Sequence, residues 1–323
     1  MKNYLILFIF LVSCSGGGGS INSLENELNS DNENSNSNME KCVEEQNRMF
    51  RCDFVHKGLN RYYFIHLAHP DAQEPSSIIF NLHGYGSTAV EQMNYTNFQD
   101  FTTTEENNFI LIHPQGAPLN TVLTSSSSHW NSGGWTTGST VDDIDFIDTI
   151  IYLVSQKYNI NMNRIYSTGM SNGGFMSYHL ACNLSSKIAA VASVTGSMSK
   201  QTYESCNPAH PTAILQIHGT LDGTVPIDGN SALGMESINK VLNFWKEYNL
   251  CDSEPLISVT DYFSLGLSIE HWEYLNCLNS TQVELYKVDG MWHTWPRENT
   301  FGISATNKII KFFNTYDING KIN

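Results

Sequence analysis

Basic residues are scarce in this chain. Its 323 residues carry 17 Lys and Arg against 32 Asp and Glu, a net charge of -15 with a pI near 5.0. Polyanions are held chiefly by cationic side chains, so nucleic acid is not an expected partner. Part of the acidity falls in the early stretch LENELNSDNEN (24–34), which leaves the body less acidic than the total implies. Long apolar runs are also missing. The N-terminal run YLILFIFLV (4–12) is about half of the roughly 20 residues that a spanning helix needs, so it reads as the core of a signal peptide. No repeat at solenoid spacing is visible, and no domain boundary falls inside residues 42–317.

Behind the apolar run, LVSC (11–14) resembles a bacterial lipobox, in which Cys14 becomes the lipidated first residue of the mature chain. An ordinary cleaved signal with a chance cysteine is the plainer alternative. Segment 1–14 is therefore expected to be a leader, and Ser15 after Cys14 is compatible with sorting to a bacterial outer membrane. The expected location is secreted or at the cell surface, with the anchor as the sole membrane contact. Residues 15–41 are rich in Gly, Ser, Asn and Glu and nearly free of apolar side chains until their end. Such a stretch cannot bury enough surface to order itself, and it reads as a tether. Residues 318–323 are expected to form a short tail.

Setting Cys14 aside leaves six cysteines, an even number behind an export signal, which favours disulfides. Fifteen pairings exist. The sequence-neighbour set Cys42–Cys52, Cys182–Cys206 and Cys251–Cys277 closes the shortest loops and is the expected one.

With 41% hydrophobic residues and 11% aromatics the body is globular. It alternates β-branched runs with amphipathic stretches. RYYFIHLA (61–68), SIIFNLHG (77–84), FILIHPQG (109–116), RIYSTGMS (164–171), AAVASVTGS (189–197), TAILQIHGT (212–220) and VELYKVDG (283–290) read as strands. Segments 141–158, 172–185, 237–249 and 303–316 read as helices; in the first, Ile144, Ile147, Ile151 and Val154 recur at helical spacing behind Asp142, Asp143 and Asp145. Alternation of this kind predicts an α/β fold, a mainly parallel sheet covered by helices on both faces. A polar loop rich in Gly, Ser and Trp (117–140) is long enough to be functional.

Gly169-Met170-Ser171-Asn172-Gly173 fits G-x-S-x-G between a predicted strand and a predicted helix. A serine on so sharp a turn leaves no room for neighbouring side chains, and the two glycines relieve the clash. Its hydroxyl needs a base, and the base an acid. In this fold the acid follows the serine and the histidine comes last. His293, in the loop after the last strand, is the expected base; His271 sits in the alternating run LSIEHWEYL (267–275) and reads as structural. Asp222, in the turn after TAILQIHG, is the expected acid, ahead of Asp228, Asp252, Asp261 and Asp289. The amides of Asn172 and of Tyr85, in the turn after SIIFNLHG, are the expected oxyanion donors. His83 in that turn comes too early in the chain and reads as a hydrogen-bonding structural residue. Tyr85, Trp130, Trp135, Trp292 and Trp295 are candidate substrate-binding aromatics, with burial in the core as the plainer reading for Trp130 and Trp295.

Together LHGYGS (82–87), HPQG (113–116), HWN (129–131), VDDIDFI (141–147), RIYSTGMSNGGFM (164–176), HGTLDGTVP (218–226) and HTWP (293–296) resemble the family of secreted α/β-hydrolase esterases that contains polyhydroxybutyrate depolymerases and feruloyl or acetyl-xylan esterases. The motifs cover residues 62–317 in order. The resemblance implies the α/β-hydrolase fold in one domain, no metal or cofactor, and ester hydrolysis through an acyl-enzyme. It gives Ser171, Asp222 and His293 the roles of nucleophile, acid and base, and supports the pairings Cys182–Cys206 and Cys251–Cys277. Trp292 and Arg297 depart from it, standing where the family usually or often has glycine. Feruloyl or acetyl esters of plant polysaccharides, or small soluble esters, are the expected substrates. A polyester depolymerase is the alternative, and a peptidase a third option that lacks a gating domain here. A surface lipoprotein that binds polysaccharide without catalysis is the reading from another class.

Overall fold

The computed structural model describes residues 40–68, 73–102, 108–119, 127–134, 136, 138–262 and 266–322. Among these, eleven strands form one sheet. Its centre is built from β4 (Ser76–Leu82), β5 (Phe109–Pro114), β8 (Ile160–Met170), β9 (Ile188–Val194), β10 (Ala213–Gly219) and β13 (Val283–Val288), all parallel, in the order β5-β4-β8-β9-β10-β13. Antiparallel strands extend both sides: β1 (Lys41–Gln46), β2 (Met49–His56) and β3 (Leu59–Leu67) beyond β5, and β12 (Leu267–Tyr274) and β11 (Leu256–Tyr262) beyond β13. A separate ribbon, β6 (Ala117–Leu119) with β7 (Ser127–His129), lies within the long polar loop.

Of the central strands, β4, β5, β9 and β10 are buried along their whole length, which is why they read as continuous apolar runs. Successive side chains serve opposite faces. Ile78, Phe80 and Leu82 enter one apolar cluster with Ile147, Ile151, Val154, Met176, Leu242 and Trp245, while Ile79 enters the other with Ile309 and Phe313. Helices cover both faces: α1 (Ala89–Thr96), α2 (Asp143–Lys157), α3 (Asn172–Asn183), α4 (Ile238–Tyr248) and α5 (Ala305–Phe313). The expected α/β-hydrolase architecture is present.

Helix starts follow their side chains. Thr88 and Glu91 form a reciprocal capping box on α1, and Asp142 accepts the Asp145 amide at the head of α2. Asp143 does more than suit the helix dipole. Wholly buried, it pairs with Arg61 at 2.8 Å and accepts the Asn131 amide, tying β3, α2 and the polar loop together.

All three expected disulfides form. Cys42–Cys52 joins β1 to β2, Cys182–Cys206 ties the end of α3 to a short helix (Lys200–Ser205), and Cys251–Cys277 closes the segment that carries β11 and β12. At the other end, β14 (Tyr316–Asp317) pairs with β15 (Gly320–Lys321), so residues read as a tail contribute a strand.

Candidate active site

Parallel strands end at one edge of the sheet, and the turns leaving β4, β8, β10 and β13 gather there. Ser171 follows β8 directly, with φ 55° and ψ -119°, a conformation that L residues seldom adopt. Its amide donates to Val194 O of β9, and its carbonyl accepts the Phe175 amide, so the strained residue is held from both sides. The crowding expected around it is real. A Cβ on Gly169 would lie 2.6 Å from Leu82 O, and one on Gly173 only 2.1 Å from the same atom.

His293 donates from Nδ1 to Asp222 Oδ2 at 2.8 Å. Asp222 Oδ1 accepts the amides of Thr224 and Val225, both at 2.9 Å. Burial opposes ionisation of this carboxyl, but the His293 and Val225 hydrogen bonds outweigh it and hold it below the ordinary aspartate range. The turns that carry the two residues are stitched together. Thr220 donates from its hydroxyl to Asp289 and accepts the Gly290 amide, and Leu221 N donates to Met291 O. A Cβ on Gly219 would sit 2.0 Å from Met291 O, so only glycine lets the turns approach so closely. The competitor Asp228 is solvent-exposed.

Ser171 and His293 line one cavity of about 600 Å³ with Gly84, Tyr85, Met170, Arg297 and a face of α1. The position of a Cβ on Gly84 would be 3.6 Å from Ser171 Cβ, which sets the turn of Tyr85 beside the serine. Asn172 opens α3. Its buried side chain is consumed by the polar loop, with Oδ1 accepting Trp130 N at 2.7 Å and Nδ2 donating to Trp130 O and Ser132 Oγ. His83 has the hydrogen-bonding place expected of it. Nδ1 donates to Gly84 O, Nε2 accepts the Gly116 amide, and burial lowers its pKa to about 4. Also buried, His218 donates to Val225 O, and burial lowers its pKa too, so it backs Asp222 as a neutral ring.

Two aromatic expectations are corrected. Trp130 and Trp295 are core residues, 0% and 3% exposed, and offer no surface to a substrate. Each indole N–H finds a buried acceptor, His83 O for Trp130 and Thr306 Oγ1 for Trp295, which is what lets the rings stay inside. Trp292 is 56% exposed and stands edge-on against Phe301 beside His293. Trp135 and Cys14 lie outside the described residues.

Sequence reading missed α1. It carries Glu91, Gln92, Asn94 and Tyr95 to the cavity wall, and its capping box Thr88-x-x-Glu91 was the available signal. Tyr95 links the wall to the histidine loop: its hydroxyl bonds Thr294 Oγ1 at 2.5 Å and accepts the Trp295 amide. Away from the cavity, His271, Glu273 and Glu284 bring three ligand atoms within 4.8 Å of one another, but His271 is already bonded to Glu284 and stacked on Tyr286.

A family model described as phospholipase/carboxylesterase matches residues 65–271, more than half of the chain. The chain belongs to the phospholipase/carboxylesterase family. Among curated proteins this family member is similar to feruloyl esterase B of Piromyces equi, 30% identical over 173 residues, 51% of the chain and 31% of that protein. It also matches a bifunctional acetylxylan esterase/xylanase of Neocallimastix patriciarum, 27% identical over 49% of the chain and 21% of that protein. A probable feruloyl esterase C of Aspergillus flavus is 30% identical over 55% of the chain and 61% of that protein. The chain thus spans less than two thirds of the length of each of these relatives. Among solved structures, the acetyl xylan esterase from Aspergillus awamori superposes with TM-score 0.55 over 85% of the chain and 98% of that protein at 15% identity, a likeness of fold.

Proposed function

We propose that this phospholipase/carboxylesterase family member is a carboxylic-ester hydrolase working through an acyl-enzyme. The observation that carries the reading is His293, paired with the buried Asp222, sharing a cavity with the strained Ser171. Ser171 Oγ attacks the ester carbonyl while His293 Nε2, freed by the commitment of Nδ1 to Asp222, takes the proton. Asp222 fixes the ring and its tautomer. The amides of Asn172 and Tyr85 stabilise the tetrahedral oxyanion, His293 returns the proton to the departing alcohol, and water repeats the sequence to release the acid.

Ser171→Ala should lower kcat on para-nitrophenyl butyrate at least about a thousandfold. Wild-type turnover by that variant would overturn the mechanism. A fluorophosphonate probe separates the hydrolase from a non-catalytic polysaccharide binder, because only the hydrolase is labelled, and at Ser171. The names of the relatives support feruloyl or acetyl esters of plant polysaccharide as substrates. Methyl ferulate, acetylated xylan, tributyrin and a hydroxybutyrate oligomer assayed side by side rank that class against polyester. Three disulfides support a site of action outside the reducing cytosol, and export with lipidation at Cys14 is tested by palmitate incorporation that Cys14→Ser abolishes.

A further inference from the structure

The cavity beside Ser171 contains one guanidinium in a protein that is strongly acidic elsewhere. Arg297 comes from the loop after His293, and it is prepared for a ligand in three respects. Its backbone is pinned, since Arg297 O accepts the amides of Thr300 and Phe301 at 3.0 and 2.9 Å. Its side chain is aimed, because NH2 donates to Tyr95 O at 3.0 Å and the guanidinium lies 5.9 Å from the Tyr95 ring centre. It forms no ion pair: among the described residues no carboxylate lies within ion-pair distance of it. A guanidinium has five N–H donors, and one of them is used here.

Glu91, the carboxylate in the same wall, keeps its charge but bonds neutral donors rather than Arg297. Its Oε2 accepts the Thr88 amide at 3.1 Å and the Ser87 hydroxyl at 2.9 Å, closing the cap of α1. The rest of the wall used by the argument is neutral: Tyr85, Asn94 and Met170. Arg297 is solvent-exposed, and an anchored guanidinium without an ion pair at the edge of the cavity suits the fork geometry of a carboxylate.

Resting on the ester-hydrolase reading, we infer that Arg297 is a recognition site for an anionic substituent, so that the preferred substrates are esters bearing a free carboxylate. That carboxylate belongs either to the acyl part, as in a half-ester of a dicarboxylic acid, or to the alcohol part, as in an ester on a uronic acid unit. Arg297 selects the substrate and takes no part in proton transfer.

The test is a ratio of kcat/KM values for matched pairs, so that a general loss of folded enzyme cancels. On the acyl side the pair is the para-nitrophenyl half-ester of adipic acid against para-nitrophenyl hexanoate. On the alcohol side it is meta-acetoxybenzoate against meta-acetoxybenzamide. Arg297→Gln should cut the anionic-to-neutral ratio about tenfold in one of the pairs, Arg297→Lys should retain part of it, and added salt should erode it in the wild type. The pair that responds tells which side of the ester carries the charge. An Arg297→Gln ratio equal to wild type in both pairs overturns the inference while leaving ester hydrolysis intact. Failure of the wild type to hydrolyse any of the four esters removes the hydrolase reading and this inference with it.

Discussion

The centre and the flanks of the sheet are held by different means. β4, β5, β9 and β10 are buried from end to end between two apolar clusters. β1 and β11, the outermost strands, are exposed along nearly their whole length. Two of the three disulfides lie on those flanks, Cys42–Cys52 across β1 and β2, and Cys251–Cys277 around β11 and β12. Apolar burial contributes roughly 25 cal/mol per Å², so a strand with little buried surface gains little from packing. A cross-link supplies from the unfolded side what packing cannot supply from the folded side. Ser171, Asp222 and His293 of the candidate site stand on turns at the ends of central strands β8, β10 and β13, so their geometry rests on the centre of the sheet.

That contrast is broken most severely at the centre. Gly173→Ala would force a Cβ to within 2.1 Å of Leu82 O, a backbone atom that cannot swing aside, and should cost more than about 4 kcal/mol. The expected result is loss of soluble protein with a native near-ultraviolet dichroism spectrum. A folded, active Gly173→Ala enzyme would show that the elbow is looser than its distances.

Next come the flanks. Replacing Cys42 and Cys52 together, or Cys251 and Cys277 together, should remove about 3 kcal/mol from the denaturant-derived stability, the longer loop losing slightly more. The kcat of the folded fraction should stay near wild type, because neither pair adjoins the cavity. A fall in kcat with either pair would mean that the flanks, too, set the site.

The effect that vanishes at neutral pH concerns acid. Burial lowers His83 to about 4 and His113 to about 3, and among the described residues the ring of His113 has no hydrogen-bond partner. Unfolded imidazoles protonate near 6.5, roughly, so between that pH and the folded values the unfolded chain binds more protons. Stability therefore falls as pH drops through this window, by about 1.4 kcal/mol per unit for each buried ring. His113→Phe should flatten the slope of urea midpoint against pH between about 6.5 and 4 relative to wild type. An unchanged slope would deny that this ring stays neutral in the folded centre.

The same division explains what could be read from the sequence. Central strands are legible because burial on both faces demands unbroken apolar runs, as in FILIHP and SIIFNL. The serine turn and the partners of His293 are legible because glycines and chain order constrain them. The β1–β2 hairpin is not: KCVEEQ is polar on every residue but two and sits where a disulfide, not packing, holds it. Helix α1 escaped because AVEQMNYT has a short apolar face, with its capping box as the sole strong mark. The tryptophans misled for a related reason. Trp130 lies in a polar loop, yet that loop folds inward over His83, and composition does not report which way a loop turns.

Ser171 at φ 55° has a consequence for how such a protein ages and is improved. A non-glycine residue there costs about 1 kcal/mol or more, which glycine would return. Selection for heat resistance alone would therefore reward the loss of the one hydroxyl on which turnover is proposed to depend. Durability and reactivity draw on a single backbone angle, and any effort to harden this fold has to look for its gains elsewhere.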